Sequence, residues 1–312
     1  MAGVVSSRGC HKIRASQIRD LMDSKLNVLF DCDGVIWNGE TVVTGAPEVV
    51  TLLKQRGKRV LFITNNCTRP RGSYVTKFTR LGFTDVAEED IFSSAYCSAA
   101  YLRDVAKVEG KVYVIGCPGV VKELREAGIT MVEEETDAPT GTIYDYPLDP
   151  DVKAVLVGYD ETFDFIKLAK ACCYLQNSEC LFVATDPDPW HPLRGGRITP
   201  GSGSLTAAVE TASSRKATVI GKPSRFMFEC IASQYNLEPS ESLMVGDRLE
   251  TDILFGSNCG LDTMLTLTGV STLEEAQFYK NSDEPESKDF VPDYVVETIA
   301  DFIDAYGEEE AG

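Results

Sequence analysis

The sequence predicts an α/β fold, a doubly wound parallel sheet into which a second α/β domain is inserted. Short apolar runs rich in Val, Ile, Leu and Phe recur from about residue 27 onward, and amphipathic stretches separate them. Within a run, apolar residues do not alternate with polar ones, which is typical of strands buried on both faces of a parallel sheet. Strands that alternate with helices indicate βαβ units with right-handed crossovers.

The apolar runs are the predicted strands, and the stretches between them are the predicted helices. In chain order, the runs are NVLF, RVLFIT, KVYVIG, AVLVGY, CLFVAT, ATVIGK and SLMVGD. The stretch APEVVTLLKQRG has Pro47 near its start and Gly57 just past its end, where helices favour these residues. The stretch TFDFIKLAKACCYLQ spaces its apolar residues three and four apart, as one face of a helix requires.

The length of 312 residues favours two domains or one large α/β unit. The polar stretches RDVAKVEGK, at 103–111, and ASSRKAT, at 212–218, are predicted linkers. We therefore assign residues 1–105 and 216–312 to a core domain and residues 106–215 to an inserted domain. Residues 133–151 are a predicted loop of the insert, and the acidic tail 307–312 is a predicted frayed end.

The composition restricts the partners and the compartment. The formal net charge of -18 argues against nucleic acid and anionic membranes, because both bind through Lys and Arg. The ten cysteines form no C-x-x-C pair, which favours reduced thiols in a reducing compartment. No apolar run approaches the ~18 residues of a membrane span, and the first residues, MAGVVSSRGCHKIR, lack the apolar segment of a secretory signal. We expect a cytoplasmic protein without a membrane span.

Four predicted strands of the core end in polar residues that suit chemistry. In strand order, these residues are Asp31 and Asp33, then Thr64, Asn65 and Asn66, then Lys222, and then Asp247. Open parallel sheets bind ligands beyond the carboxyl ends of their strands. If the four strands are neighbours, we expect all of these side chains to converge on one crevice.

The residue types indicate metal-dependent phosphoryl transfer. The aspartates 31, 33 and 247 at one crevice need a cation, and oxygen ligands without His or Cys suit Mg²⁺. One Asp carboxylate can attack phosphorus and form an aspartyl-phosphate. The second can give a proton to the leaving oxygen and then take one from water. Lys222 and the Thr64 hydroxyl would stabilise charge on the transferred phosphoryl group.

The four motifs resemble those of the haloacid dehalogenase superfamily of phosphatases. The pattern is D-x-D-G, a Thr or Ser after an apolar strand, a Lys, and G-D-x-x-x-x-D; here it stands in this order as DCDG, FITNN, GKPS and GDRLETD. The resemblance covers nearly the whole chain. It implies a Rossmann-like core in which Asp31 is the nucleophile and Asp33 the acid and base. It also implies that Asp31, the Asp33 carbonyl and Asp247 hold Mg²⁺, while Asp252 orients metal-bound water.

The insert resembles the large α/β cap, the second cap class, of the same superfamily. The stretches ATDPDPWHPL and TPGSGSLTAAVETAS are similar to those of its pyridoxal phosphate phosphatases. That resemblance implies pyridoxal 5'-phosphate as the substrate, with its phosphate among Thr64, Asn65, Asn66 and Lys222. It further implies that His191 contacts the pyridoxal portion and that the protein is a homodimer joined through its caps. Tyr159, in the stretch GYDETF, is a candidate pocket wall.

Several alternatives stay open. A phosphatase for 2-phosphoglycolate or glycerol 3-phosphate would share the core motifs and differ around DPDPWHPL. The resemblance also implies a phosphoserine protein, an actin regulator, as a substrate, although a large cap hinders a folded protein. A scaffold that only binds would need none of the catalytic positions. At single positions, Asn66 could serve a turn, Asp252 a helix N-terminus and His191 an exposed loop.

Overall fold

The computed structural model describes residues 9–132 and 147–307, which form alternating strands and helices. The strands are, in chain order, β1 His11–Lys12, β2 Asn27–Asp31, β3 Trp37–Asn38, β4 Thr41–Val42, β5 Arg59–Thr64, β6 Ile91–Ser93, β7 Lys111–Ile115, β8 Val152–Val157, β9 Leu181–Ala184, β10 Trp190–Pro192, β11 Ile198–Pro200, β12 Thr218–Val219, β13 Ser242–Gly246, β14 Asp262–Thr266 and β15 Tyr294–Val296. The α-helices are α1 Ala15–Asp23, α2 Ala46–Gln55, α3 Arg71–Arg80, α4 Ser94–Ala100, α5 Pro118–Glu126, α6 Phe165–Leu175, α7 Ser202–Ser213, α8 Arg225–Tyr235, α9 Leu254–Cys259, α10 Leu273–Asn281 and α11 Asp301–Gly307.

A seven-stranded sheet has the order β1-β15-β14-β13-β2-β5-β6. Its neighbours from β1 to β5 pair in parallel. The strand order reverses at β2, because β5 follows on one side and β13, β14 and β15 lie on the other. Such a switch point leaves a crevice at the carboxyl ends of the strands, where α/β sheets bind ligands. The predicted doubly wound fold is confirmed.

A second sheet is also parallel and has the order β12-β9-β8-β7. Two antiparallel pairs, β3 with β4 and β10 with β11, stand apart from both sheets. The run ATVIGK was predicted to supply a strand of the core, and this prediction is wrong: its strand, β12, pairs with β9 in the second sheet. A short apolar run suits any buried parallel strand, so its pattern does not tell which sheet it joins.

The chain divides into two compact units. The first contains the described residues up to Thr64, then Gly72–Phe92 and the described residues from Lys222 on; the second contains Asn65–Arg71 and Ser93–Gly221. The predicted insert, 106–215, lies within the second unit, whose ends lie further out, and its boundaries as a domain stay a prediction. The predicted linkers contain helical residues, since 101–105 are helical and α7 extends to Ser213. Polar helix ends and linkers share a composition, which explains the error.

Each unit has its own apolar core. In the first, Trp37 and Phe62 both pack against Phe78, with ring centroids 4.8 and 4.3 Å away. In the second, side chains of β8, β9, α6 and α7 form the core. Both predicted helices are present. The helix α2 has Pro in its first turn, and α6 is capped by the Asp164 side chain, which accepts a hydrogen bond from the Lys167 N–H at 2.8 Å.

Two predicted segments fall mainly outside the part of the chain that the structure describes. The predicted loop 133–151 and the predicted frayed tail 307–312 lie largely outside the described residues. Within residues 9–132 and 147–307, no helix has both the length and the apolar character needed to cross a membrane.

A buried ion pair ties the segment Asn65–Arg71 to α5 in the second unit. The Arg71 N–H donates to Glu123 Oε1 at 2.7 Å, and Arg71 Nε lies 3.4 Å from Glu123 Oε2. Only 1% of the Glu123 side chain is exposed. We expect Glu123→Gln to lower the free energy of unfolding by about 3 kcal/mol, because it leaves a mostly buried guanidinium without its countercharge. Denaturant titration measures this loss.

Glu126 on the same helix is the matched control. Its carboxylate pairs with Lys122 at 3.6 Å, but about half of each side chain is exposed. Glu126→Gln should therefore change stability by no more than about 0.5 kcal/mol. Equal losses in the two variants would show that burial of the Arg71 pair adds nothing.

Candidate active site

Three buried aspartates lie together at the switch point of the large sheet. Asp31 is the last residue of β2, Asp247 follows β13, and Asp252 lies in the helical segment Leu249–Ile253 that leads into α9. Each offers a carboxylate oxygen, and these oxygens lie within 4.8 Å of one another. The parallel register places β2 between β13 and β5, which brings these acids together from distant parts of the sequence.

Lys222 holds two of these carboxylates. Its Nζ lies 2.5 Å from Asp31 Oδ1 and 2.7 Å from Asp252 Oδ1, and it donates to the Ile63 carbonyl at 3.1 Å. Only 2% of the Lys222 side chain is exposed. One buried ammonium thus faces three buried carboxylates, which leaves an excess of negative charge when all of them are ionised.

Burial is the main cause of the aspartate pKa shifts in this cluster. Burial raises the pKa of Asp31 well above its ordinary value, although the charge of Lys222 opposes the rise. Burial and then the charge of Asp252 raise the pKa of Asp247 to about 7. Burial disfavours the Lys222 ammonium, but Asp252 and Asp31 outweigh that effect, so the pKa of Lys222 is raised. In both aspartates burial is the main cause of the rise, and the neighbouring carboxylates add to it.

Backbone groups fix the two acids that follow β13. Asp247 Oδ2 accepts a hydrogen bond from the Val270 N–H at 2.7 Å. Asp252 Oδ2 accepts from the N–H groups of Asp247 and Arg248, both at 3.1 Å. A Cβ on Gly34, where φ is +93°, or on Gly269 would collide with the Asp247 carboxylate. These glycines therefore allow the backbone to approach a charged side chain that would otherwise be displaced.

The second predicted strand end supplies Thr64, Asn65 and Asn66. Thr64 is buried and ends β5, one residue beyond the register partner of Asp31. Asn65 and Asn66 belong to the second compact unit. The Asn65 carbonyl accepts from Ser94 Oγ at 2.7 Å, and Asn66 Oδ1 accepts from the Thr68 N–H at 3.0 Å. The Asn66 side chain therefore stabilises a turn, the alternative that its residue type left open.

Asp33 is half-buried, and its carboxylate is not one of the three that lie within 4.8 Å of one another. Its Oδ1 accepts a hydrogen bond from the indole Nε1 of Trp37 at 2.9 Å. Trp37 was not among the predicted site residues. A buried indole N–H needs an acceptor, so a Trp four residues after an Asp is a sequence signal for this contact. Gly269 and Val270 were not predicted either, and the sequence does not distinguish them from an ordinary loop.

His191 and Tyr159 are neighbours within the second unit. Their rings meet edge to face, with centroids 5.9 Å apart, and both residues are half-buried. His191 lies in the middle of β10, where it is paired with Thr199 of β11. Tyr159 also lines an open cavity of about 970 Å³ in this unit. The structure thus brings together the two residues that were predicted to contact the organic part of a substrate.

Buried polar groups anchor the base of the β10–β11 pair. Asp186 Oδ2 accepts from Thr185 Oγ1 at 2.8 Å, and Asp186 Oδ1 accepts from the Asp188 N–H at 3.2 Å. Burial and the nearby Asp188 raise the pKa of Asp186 to about 8. The Gly201 N–H closes the pair with a bond to the Pro189 carbonyl at 2.9 Å.

The acid cluster fits a divalent cation. Its donors are carboxylate oxygens, which hard cations such as Mg²⁺ prefer. A divalent cation there would offset the negative charge that Lys222 leaves uncompensated among the three carboxylates. Asp31, Asp247 and the carbonyl of Asp33 are the groups that we expect to hold it.

The raised pKa of Asp247 predicts how stability depends on pH. The shift from the ordinary 3.8 to about 7 means that the folded protein binds this proton more tightly than the unfolded chain does. The stabilisation that this tighter proton binding gives is fully present below pH 3.8 and is lost as the pH rises through about 7. In chelator at pH 8, Asp247→Asn should therefore melt roughly 2–4 °C higher than wild type, as about 1 kcal/mol would give. Thermal unfolding at pH 5 and pH 8 measures the difference.

Added Mg²⁺ should reverse this order of melting temperatures at pH 8. It should bind and stabilise the wild-type protein, whereas Asp247→Asn should bind it weakly and gain little stability. Asp151→Asn removes an exposed carboxylate and is the control for net charge. A melting temperature that responds to Mg²⁺ equally in all three proteins would rule out Asp247 as a ligand.

Two family models and two similar proteins show the family to which the chain belongs. The model described as Haloacid dehalogenase-like hydrolase matches residues 28–130, and the model for HAD-hydrolase-like proteins matches residues 219–302. Chronophin of Rattus norvegicus is 51% identical over 302 residues, which cover 96% of this chain and 93% of that protein. Glycerol-3-phosphate phosphatase of Mus musculus is 47% identical over 307 residues, 95% of each protein.

A solved structure of similar fold contains a metal. The crystal structure of glycerol phosphate phosphatase from Mycobacterium tuberculosis in complex with magnesium aligns with a TM-score of 0.74 and 27% identity, over 90% of this chain and 78% of that chain. The two family models match the parts of the chain that carry Asp31, Lys222 and Asp247. The chain belongs to the haloacid dehalogenase-like hydrolases, and it is a phosphatase of that family.

Proposed function

We propose that the chain is a Mg²⁺-dependent phosphomonoesterase that hydrolyses pyridoxal 5'-phosphate through an aspartyl-phosphate on Asp31. The observation that carries the proposal is the buried cluster of Asp31, Asp247 and Asp252 around Lys222 at the sheet's switch point. A cluster that is short of positive charge suits a cation, and a phosphate ester needs both a cation and a nucleophile.

The reaction proceeds in two steps. First, a carboxylate oxygen of Asp31 attacks phosphorus while the bond from phosphorus to the leaving oxygen breaks, and Asp33 gives its proton to that oxygen. Second, Asp33 takes a proton from a water molecule that attacks the aspartyl-phosphate, which frees Asp31 and inorganic phosphate. Bound Mg²⁺ would supply charge neutralisation, which lets the anionic phosphate approach a carboxylate.

Lys222 and Thr64 complete the phosphate site. The Lys222 ammonium is held beside Asp31 and would stabilise negative charge on the transferred phosphoryl group. Asp252 keeps that ammonium in place with its 2.7 Å contact. Asp252 was predicted to orient metal-bound water, and this role stays a prediction beside the one that its contacts support. Thr64, Asn65 and Asn66 are the proposed hydroxyl and amide groups around the phosphate.

The second unit supplies the proposed specificity. His191 and Tyr159 form an edge-to-face pair that could contact the pyridoxal ring and its substituents. The similarity to chronophin supports pyridoxal 5'-phosphate as the substrate. A homodimer joined through the second unit and a cytoplasmic location remain parts of this proposal. A phosphoserine protein is the least favoured substrate.

A second candidate is a phosphatase for glycerol 3-phosphate or 2-phosphoglycolate. The 47% identity to glycerol-3-phosphate phosphatase of Mus musculus supports it. Both candidates use the same acid cluster, so only the residues that contact the organic part distinguish them.

Phosphate release from a substrate panel tests the proposal. The panel is pyridoxal 5'-phosphate, 2-phosphoglycolate, glycerol 3-phosphate and a phosphoserine peptide, with Mg²⁺ present or chelated. We expect pyridoxal 5'-phosphate to give the highest kcat/KM by about tenfold or more, as a pocket that hydrogen-bonds its substrate allows. Asp31→Asn should lower the rate by about 10³-fold or more, because it removes the nucleophile.

The panel separates the candidates. If glycerol 3-phosphate or 2-phosphoglycolate gives the highest kcat/KM, the proposed mechanism stands and pyridoxal 5'-phosphate is rejected as the preferred substrate. Release that survives chelation or Asp31→Asn would overturn the mechanism.

His191→Ala tests the specificity residue. We expect kcat/KM for pyridoxal 5'-phosphate to fall about 10- to 100-fold, the range of a lost substrate contact. The value for p-nitrophenyl phosphate should change less than about threefold, since that substrate lacks the pyridoxal substituents. Leu193→Ala, which trims an exposed side chain next to β10, is the matched control. Equal losses on both substrates would remove His191 from the proposed pocket.

A further inference from the structure

Trp37 is fully buried next to a predicted catalytic acid. Its exposed fraction is 0%, and its ring packs edge-on against Phe78 at 4.8 Å and stacks on Tyr74 at 6.2 Å between centroids. A ring held in this way cannot turn without repacking the core of the first unit.

Three hydrogen bonds join Trp37 to the segment 32–34 that follows β2. Trp37 Nε1 donates to Asp33 Oδ1 at 2.9 Å. The backbone repeats the connection, since the Gly34 N–H donates to the Trp37 carbonyl at 2.7 Å and the Trp37 N–H donates to the Cys32 carbonyl at 3.1 Å. Asp33 is therefore held to Trp37 directly through its carboxylate and indirectly through the backbone of its two chain neighbours.

A buried cation strengthens the indole as a donor. The Nζ of Lys77 lies 3.9 Å from the centroid of the Trp37 ring, and only 6% of Lys77 is exposed. A cation over the π face draws electron density from the ring, which makes the N–H more acidic. The hydrogen bond to Asp33 gains from this polarisation.

We propose that Trp37 is a positioning residue that decides which oxygen of Asp33 carries the proton. An indole N–H only donates, and the carbonyl oxygen of a carboxylic acid is a better acceptor than its hydroxyl oxygen. With Oδ1 engaged by Trp37, the proton resides on Oδ2, and Oδ2 is the oxygen that serves the leaving group. The inference rests on the acid role proposed for Asp33.

The consequence is a dependence on the leaving group. When the bond from phosphorus to an alkyl oxygen breaks, the electron pair stays on that oxygen, which needs the proton of Oδ2. The p-nitrophenolate ion is stable and leaves without a proton. A misplaced Asp33 therefore slows the first step for alkyl phosphates and spares that step for p-nitrophenyl phosphate.

The test is Trp37→Phe, measured as kcat/KM on p-nitrophenyl phosphate and on the best alkyl phosphate of the panel. This constant reports the steps up to the aspartyl-phosphate and excludes the later action of Asp33 on water. We expect the alkyl value to fall about 10- to 100-fold and the aryl value to fall less than about threefold. Equal losses on the two substrates would overturn the proposal.

Two controls separate the possible causes. Phe78→Leu disturbs the same packing without touching the N–H, so it should not change the ratio of the two constants. Asp33→Asn should change that ratio at least as much as Trp37→Phe. If Asp33→Asn leaves the ratio unchanged, the acid role itself fails. If only Trp37→Phe leaves it unchanged, the acid role stands and the positioning role fails.

A second replacement keeps the test usable if the Phe variant does not fold. Benzothienylalanine at position 37 has the two-ring shape of Trp and carries sulfur in place of the indole N–H. It should reproduce the selective loss on the alkyl phosphate. Retention of wild-type values on both substrates would show that the hydrogen bond to Asp33 has no part in the reaction.

Discussion

The buried ammonium of Lys222 is the interaction on which the site depends. It holds Asp31 and Asp252 at 2.5 and 2.7 Å in a place where an unpaired carboxylate would be costly. Asp252 in turn binds the two N–H groups that follow β13, and so fixes the backbone of Asp247. The cation thus organises acids from two strands into one cluster, and a catalytic metal would complete its charge.

The sheet makes this arrangement possible at little local cost. Because β2 lies between β13 and β5 in parallel register, residues that follow each strand meet at the same edge. Close contact then depends on residues without side chains, since Gly34 and Gly269 border the Asp247 carboxylate. Rigid strands set the positions of the acids, and the loops adjust only the final distances.

The sequence was sufficient to place Asp31, Thr64 and Asp247 at the ends of buried strands, because a polar residue that follows a buried apolar run marks the edge of a sheet. The sequence also predicted that Lys222 lies near Asp31, as the structure has it, but for a partly wrong reason: the strand before Lys222, β12, joins the second sheet. An apolar pattern reports burial and does not report which strand is the neighbour. Val270 could not be recognised as part of the site, because its contact with Asp247 depends on how separate loops fold together.

The proposed contact of His191 with the substrate would make the β10–β11 pair the element that sets substrate preference. Its base is fixed by Asp186 and by the bond from Gly201 to the Pro189 carbonyl, whereas its tip carries exposed residues such as Leu193 and Ile198. The pair forms a two-stranded sheet of its own. A change in the sequence or length of its exposed tip would therefore leave the hydrogen bonds of both larger sheets intact. Under the proposed function, exchanging the β10–β11 pair between relatives would be a direct route to a changed substrate preference.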